Sequence, residues 1–327
     1  MEMRLNRLAH WARLAICLVA AVHYGNTGAA EADRLLRIAA PAAVDAPDGP
    51  TPVASGKSPL AQMFDAGQRA LLKKDYPTAY PLLRNAAEQS HAQAQCALGD
   101  MYLAGQSVAA DDAQALSWYR KSAEQRDADA QARLGLMYAN GRGVAMNDEA
   151  AVNWFRLAAE QGDAGGQSNL GAMYLEGRGV DRNDAEAVKW IRLAALQHEP
   201  LAQYNLGMLF HEARGVEQDE IEAVWWFRKS AEQGSADAQT TLGLLYSEGR
   251  TVPKDDAEAV QWWRKAAEQG NALGQYYLGV NLAEGRGVDP DRDQALKWLT
   301  LSARQGLALA RDYLGANGNI SVESLNR

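Results

Sequence analysis

The chain has 327 residues, 47% hydrophobic and 23% charged, enough apolar material to fold and too much for a disordered chain. Lys and Arg number 33 against 41 Asp and Glu, and this net charge of -8 excludes a binder that tracks nucleic-acid phosphates on basic surface. Two cysteines can build neither a disulfide framework nor a four-thiolate zinc site.

Residues 1–30 read as a cleaved export signal. Arg4, Arg7 and Arg13 make the positive start, residues 14–22 are an uncharged apolar run, and Gly28 and Ala30 supply the small positions of a cleavage site. A membrane span needs about 20 apolar residues, so this run is too short to cross. The expected location is periplasmic or secreted; an Arg-rich mitochondrial presequence is the runner-up, and an uncleaved anchor comes third. Residues 31–60 follow, rich in Ala, Pro, Gly and Asp, with no helical or strand period, and are expected to form a flexible linker.

Residues 61–91 carry two short helical patterns, Phe64, Gly67 and Ala70 and then Asp75, Tyr76 and Ala79. From there a 36-residue period takes over. Leu-Gly pairs stand at Leu98-Gly99, Leu134-Gly135, Leu170-Gly171, Leu206-Gly207, Leu242-Gly243, Leu278-Gly279 and Leu314-Gly315. Trp118, Trp154, Trp190, Trp226, Trp262 and Trp298 keep the same step, as do the glutamines from Gln125 to Gln305. Six copies fill residues 92–307 without an insertion.

Each copy reads as two helices. In residues 128–162, Ala130, Leu134 and Tyr138 line one face of the first, and Gly141 ends it in the left-handed conformation. The second starts after Asn147 and carries Ala151, Trp154, Phe155, Ala158 and Ala159 on one stripe. Its start is signalled in every copy by Asp111, Asn147, Asn183, Asp219, Asp255 or Asp291. In five of the six a Glu or Gln stands three residues on, so a reciprocal capping box is expected. Helices this short are marginal alone and must stack. Gly135 and its counterparts, mid-helix at a cost of about 1 kcal/mol each, are expected to let the tryptophans dock closely. The fold class is all-α, a right-handed α/α solenoid of antiparallel helix pairs. Residues 308–327 supply one unpaired capping helix and a polar tail.

The pattern Ala130-Gln131-x-x-Leu134-Gly135-x-x-Tyr138-x-x-Gly141-x-Gly143-Val144, then Ala151-x-x-Trp154-x-x-x-Ala158-Ala159-x-Gln161-Gly162, resembles the Sel-one-like repeat (SLR) family, a relative of the tetratricopeptide repeat. Residues 61–91 lack four loop residues and are closer to a plain tetratricopeptide unit, as suits an N-terminal cap. The resemblance implies a scaffold for protein–protein interaction. Exported bacterial members act in envelope signalling, exopolysaccharide assembly and host contact. Cysteine-rich secreted members are linked to β-lactam binding, but their repeated cysteine pairs are missing here and that activity does not carry over.

No catalytic, metal or cofactor site can be nominated. His91 and His198 fall at turns, and His211 has no second His one turn away. The recurring Gly-Arg-Gly-Val follows no strand and precedes no Lys-Ser/Thr, so it reads as a helix-ending loop rather than a phosphate cradle. Cys96 reads as a small buried hydrophobe. Arg142, Arg178, Arg214, Arg250 and Arg286 form a ladder expected to favour the helix dipole and pair with nearby Asp.

A partner is expected on a concave face lined by the first helices. One row is Arg133, Asn169, Asn205, Thr241 and Tyr277. The next is Leu136, Ala172, Met208, Leu244 and Val280. A third holds Asn140, Glu176, Glu212, Glu248 and Glu284, with Ser168, Tyr204, His211, Thr240 and Tyr276 alongside. Asn169 and Asn205 resemble the tetratricopeptide asparagines that hold a peptide backbone, but the lysines and arginines of a carboxylate clamp are absent apart from Arg133. The expected occupant is a protein segment, basic opposite the glutamates. A polysaccharide-binding module is the second reading, and a hydrolase of cell-wall or β-lactam bonds a distant third.

Overall fold

The computed structural model describes residues 57–316. The expected export signal, nearly all of the linker and the polar tail lie outside the described residues. Fifteen helices follow in order: α1 Pro59–Leu72, α2 Tyr76–Glu88, α3 Ala92–Ala104, α4 Asp112–Glu124, α5 Ala128–Asn140, α6 Asp148–Glu160, α7 Ala164–Glu176, α8 Asp184–Leu196, α9 Pro200–His211, α10 Glu220–Glu232, α11 Ala236–Glu248, α12 Asp256–Glu268, α13 Ala272–Glu284, α14 Arg292–Arg304 and α15 Ala308–Ala316. The described residues contain no strand. They divide at Ala194 and Ala195 into two compact units, each an α/α stack of helix pairs in chain order.

The predicted starts hold the second helices. Asn147 Oδ1 accepts the Ala150 N–H at 2.9 Å, and Asp111 Oδ1 accepts those of Ala113 and Gln114. The reciprocal half of the capping box is replaced by something else. The cap's own N–H reaches back to the first helix: Asp111 donates to the Tyr102 carbonyl, Asn147 to Tyr138 and Asn183 to Tyr174 in unit 1, and Asp219 to Phe210, Asp255 to Tyr246 and Asp291 to Leu282 in unit 2. A backbone bond therefore closes each loop, and the Glu or Gln is left on the surface.

Gly141 ends α5 at φ +65°, and the second glycine of the loop, Gly143 at φ +66°, presses on the preceding copy. A Cβ there would meet the Asp112 carbonyl oxygen at 2.5 Å. The copy at α9 departs from this: α9 ends one residue early at His211, and Ala213 takes the left-handed turn at φ +55°.

The mid-helix glycines are receiving surfaces, though not for the tryptophans. Gly99 lies under the Tyr119 ring, Gly135 under Phe155, Gly171 under Ile191, Gly207 under Phe227, Gly243 under Trp263 and Gly279 under Leu299. That series is one residue further along than the repeating Trp. Tyr119, Phe155, Ile191 and Phe227 are fully buried. Trp118, Trp154, Trp190, Trp262 and Trp298 are only half-buried, whereas Trp226 is buried. Lysines lie over several of the half-buried rings, Lys121 on Trp118 and Lys265 on Trp262, each at 4.0 Å. The glutamines join copies: in unit 1 Gln125 Nε2 donates to Gln95 Oε1 and Gln161 to Gln131, and in unit 2 Gln233 donates to Gln203 and Gln269 to Gln239.

Candidate partner-binding face

The first helices α5 and α7 in unit 1, and α9, α11 and α13 in unit 2, carry the side chains expected on the partner face. Their residues at one face recur three and four apart, which sets them in rows. The rows do not all reach solvent.

In unit 1, Arg133 and Leu136 on α5 are half-buried. Arg133 is not free: Nη1 lies 3.1 Å from Asp100 and Nε 3.2 Å from Asp129. On α7, Ser168 and Ala172 are buried, and half-buried Asn169 spends its amide on its own helix, donating from Nδ2 to the Gly165 carbonyl at 2.8 Å. Glu176 keeps 14% of its side chain exposed, 3.7 Å from Arg178. Asn140 is half-buried.

Unit 2 buries more of its rows. Tyr204, Asn205, Met208, Thr240, Thr241, Leu244 and Val280 are all buried. The Tyr204 ring packs 5.7 Å from Phe227, and Thr240 Oγ1 donates to the Ala236 carbonyl one turn back at 2.9 Å. Asn205 sits at zero exposure, so its amide is a packing element and not a peptide-holding hand. His211 Nδ1 lies 2.9 Å from Glu220 Oε2 across the loop. Tyr277 stacks on Trp263 at 5.1 Å, and Tyr276 stands half-buried beside it.

The acidic row is a row of internal ion pairs. Each glutamate faces the loop arginine two residues on: Glu212 with Arg214 at 3.8 Å, Glu248 with Arg250 at 3.6 Å and Glu284 with Arg286 at 2.5 Å. Glu212 keeps 21% of its side chain exposed, Glu248 6% and Glu284 42%, so Glu284 is the most open of the three. Burial holds the Glu212 carboxyl above the usual carboxylate range, against the pull of Arg214 and His211. In unit 1 the arginine ladder also spans copies, Arg142 binding Asp112 at 2.7 Å and Arg178 binding Asp148 at 2.5 Å. Half-exposed pairs of this kind contribute about 0–1 kcal/mol each.

The row positions whose side chains meet solvent are therefore Arg133, Leu136, Asn140, Asn169 and Glu176 in unit 1, and His211, Glu212, Tyr276, Tyr277 and Glu284 in unit 2. They offer aromatic and hydrogen-bonding groups together with paired charge. Cys96 is buried with its Sγ 3.6 Å from Asp129 Oδ2, and burial pushes its thiol up, which leaves it a poor nucleophile. No group of three or more His, Cys, Asp or Glu among the described residues is arranged to hold a metal ion. No helix among them is long and apolar enough to cross a membrane. One residue escaped the reading of the rows, Asp100, although its sequence signal is plain: the same position in later copies is Leu136, Ala172, Met208, Leu244 and Val280.

The Sel1 repeat profile matches seven segments, residues 60–91, 92–127, 128–163, 164–198, 200–235, 236–271 and 272–307. The first of these is the segment expected to be a plain tetratricopeptide-like cap. Among solved structures, a Sel1 repeat protein from Oxalobacter formigenes is 31% identical, with a TM-score of 0.66 over 73% of this chain and 96% of that one. A protective antigen of uropathogenic Escherichia coli with an SLR fold, c5321, is 34% identical over 89% of this chain and 67% of its own, with a TM-score of 0.45. No curated protein matches the chain.

Proposed function

This chain belongs to the Sel1 repeat family of helical-repeat interaction scaffolds, and on that premise we propose that it is an exported, non-enzymatic scaffold that holds another protein, in bacterial envelope signalling or assembly. The observation that carries the reading is a division of labour within the copies. Side chains that repeat, such as the Leu-Gly pairs and the glutamines, are used up in stacking. Of the side chains that change from copy to copy, Asn169, His211, Tyr276 and Tyr277 stand at half-burial on the first helices, while Tyr204, Asn205, Thr240 and Thr241 are buried. Aromatic residues in such positions give large contact area at low entropic cost.

The partner is a protein segment that covers the tyrosines of α13 and presents a Lys or Arg to Glu284, the most open of the row. The polysaccharide reading has less support, because Arg142 and Arg178 are already engaged with Asp112 and Asp148. The test is crosslinking of the full chain in the exported fraction of its own host, at low and high salt. Tyr276→Ser and Glu284→Lys should each reduce recovery of the crosslinked protein, the second mainly at low salt. Equal recovery from both variants would remove this face from the proposal.

A further inference from the structure

Position 100 places a carboxylate where five later copies place an apolar side chain. Position 133 departs at the same spot: Ala97, Asn169, Asn205, Thr241 and Tyr277 occupy it elsewhere, and only here is it a cation. The two substitutions meet. Asp100, on α3, is 15% exposed; the Tyr119 hydroxyl of α4 donates to its Oδ1 at 2.6 Å, and Arg133 Nη1 of α5 lies 3.1 Å from the same oxygen. Arg133 is shared with Asp129, one turn back on α5, at 3.2 Å. Asp127, the N-cap of α5, and Cys96 on α3 complete the ionisable surroundings. Three helices of unit 1 are thus tied through one carboxylate.

We propose that Asp100, Tyr119 and Arg133 form a proton-operated latch within unit 1. With Asp100 ionised, the Arg133 guanidinium is clamped between α3 and α5. With Asp100 protonated, the guanidinium keeps Asp129 alone and its α3 side is released. The proton taken up on opening is the one lost on reclosing, so no other reactant is needed. The latch works whatever the scaffold binds.

The position of the switch follows from the surroundings. Burial is the largest influence and lifts the Asp100 carboxyl to about 6; Arg133 and the Tyr119 hydrogen bond pull it down, while Asp129 and Asp127 push it up. A folded-state value raised above the unfolded one means that protonation stabilises the fold. That gain is full below the ordinary aspartate range and is lost as the pH rises through 6. The latch therefore opens in mild acid without unit 1 losing stability from this group.

The experiment uses the full chain with carboxyl-labelled aspartate and guanidinium-labelled arginine, followed by NMR from pH 7.5 to 4.5, with Asp100→Asn identifying the signal. The Asp100 carboxyl should titrate near 6. Protection of the Arg133 Nη1 protons, which face Asp100, should fall several-fold with the same midpoint, measured against free arginine. Asp129→Asn, at a half-exposed site, should lower that midpoint by removing a like charge, and Tyr119→Phe should raise it. A midpoint in the ordinary carboxylate range overturns the proposal. So does Arg133 protection that stays flat through the transition, or a midpoint that Asp129→Asn leaves in place. The exposed Asp129→Asn site keeps the test decisive if Tyr119→Phe fails to fold.

Discussion

A single methyl group at Gly135 tests how the helix pairs are held together. By propensity alone, Gly135→Ala in the middle of α5 should stabilise the helix by about 1 kcal/mol. The structure reverses the sign. The new Cβ would stand 2.6 Å from Cδ1 and Cε1 of Phe155, and that ring has nowhere to go. It is fully buried, among Ala151, Leu170 and Met173. Overpacking of this kind costs about 1–3 kcal/mol, so the net expectation is a loss of about 1 kcal/mol. Urea unfolding of the full chain, followed by circular dichroism at the helix band, reads this as a lower midpoint in the transition that belongs to unit 1. Phe155→Ala, costing about 3–5 kcal/mol alone, identifies that transition. In the double variant the alanine at 135 fills part of the space left by the ring, so the two losses should fall short of additivity by about 1 kcal/mol or more. A Gly135→Ala protein as stable as the parent, or strictly additive losses, would refute the docking argument.

Three further outcomes follow from the same packing. Gly143→Ala should cost more than Gly162→Ala in thermal unfolding: both adopt positive φ, but the first also drives a Cβ against the Asp112 carbonyl and the second meets open space. Gln131→Ala should cost about 0.5–1.5 kcal/mol, because it removes a buried bond to the Ala123 carbonyl, which keeps the Arg126 N–H, while Gln161→Ala, at an exposed position, should cost less; equal losses would argue against the glutamine ladder. Cys96 should resist a thiol reagent in the folded chain and react on unfolding, with fast labelling under native conditions counting against its burial and raised thiol pKa.

The architecture was legible because the 36-residue step is written in residues that the fold uses identically each time. The Asp and Asn caps, the left-handed Gly141 and the glutamine series needed no knowledge of neighbours beyond the next copy. Two details of packing were not legible. Spacing could not decide whether Trp154 or Phe155 meets Gly135, since adjacent residues on a helix differ by a rotation that only the partner's position resolves. Several residues of the expected rows are buried, because helical spacing assigns side chains to a face without saying what covers it. Tyr204, Asn205 and Met208 show this: their spacing marks them as one face, and their burial places that face inside the packing. Asp100 was missed for a different reason. It belongs to a copy otherwise like the rest, and only comparison down the column of equivalent positions, rather than along the helix, separates it from its apolar counterparts.

The bond from each cap N–H to the first helix has a consequence for how such a chain can change over time. Donor and acceptor are always nine positions apart, as in Tyr138 and Asn147 or Tyr246 and Asp255. Because both atoms are main chain, the residues between them can be exchanged with little restriction, and Gly-Arg-Gly-Val can become Gly-Arg-Thr-Val at positions 249–252. Their number cannot. One additional residue would carry the amide past its carbonyl and expose the start of the second helix, so the six copies are kept to a common length by the geometry of a clasp rather than by the identity of any side chain.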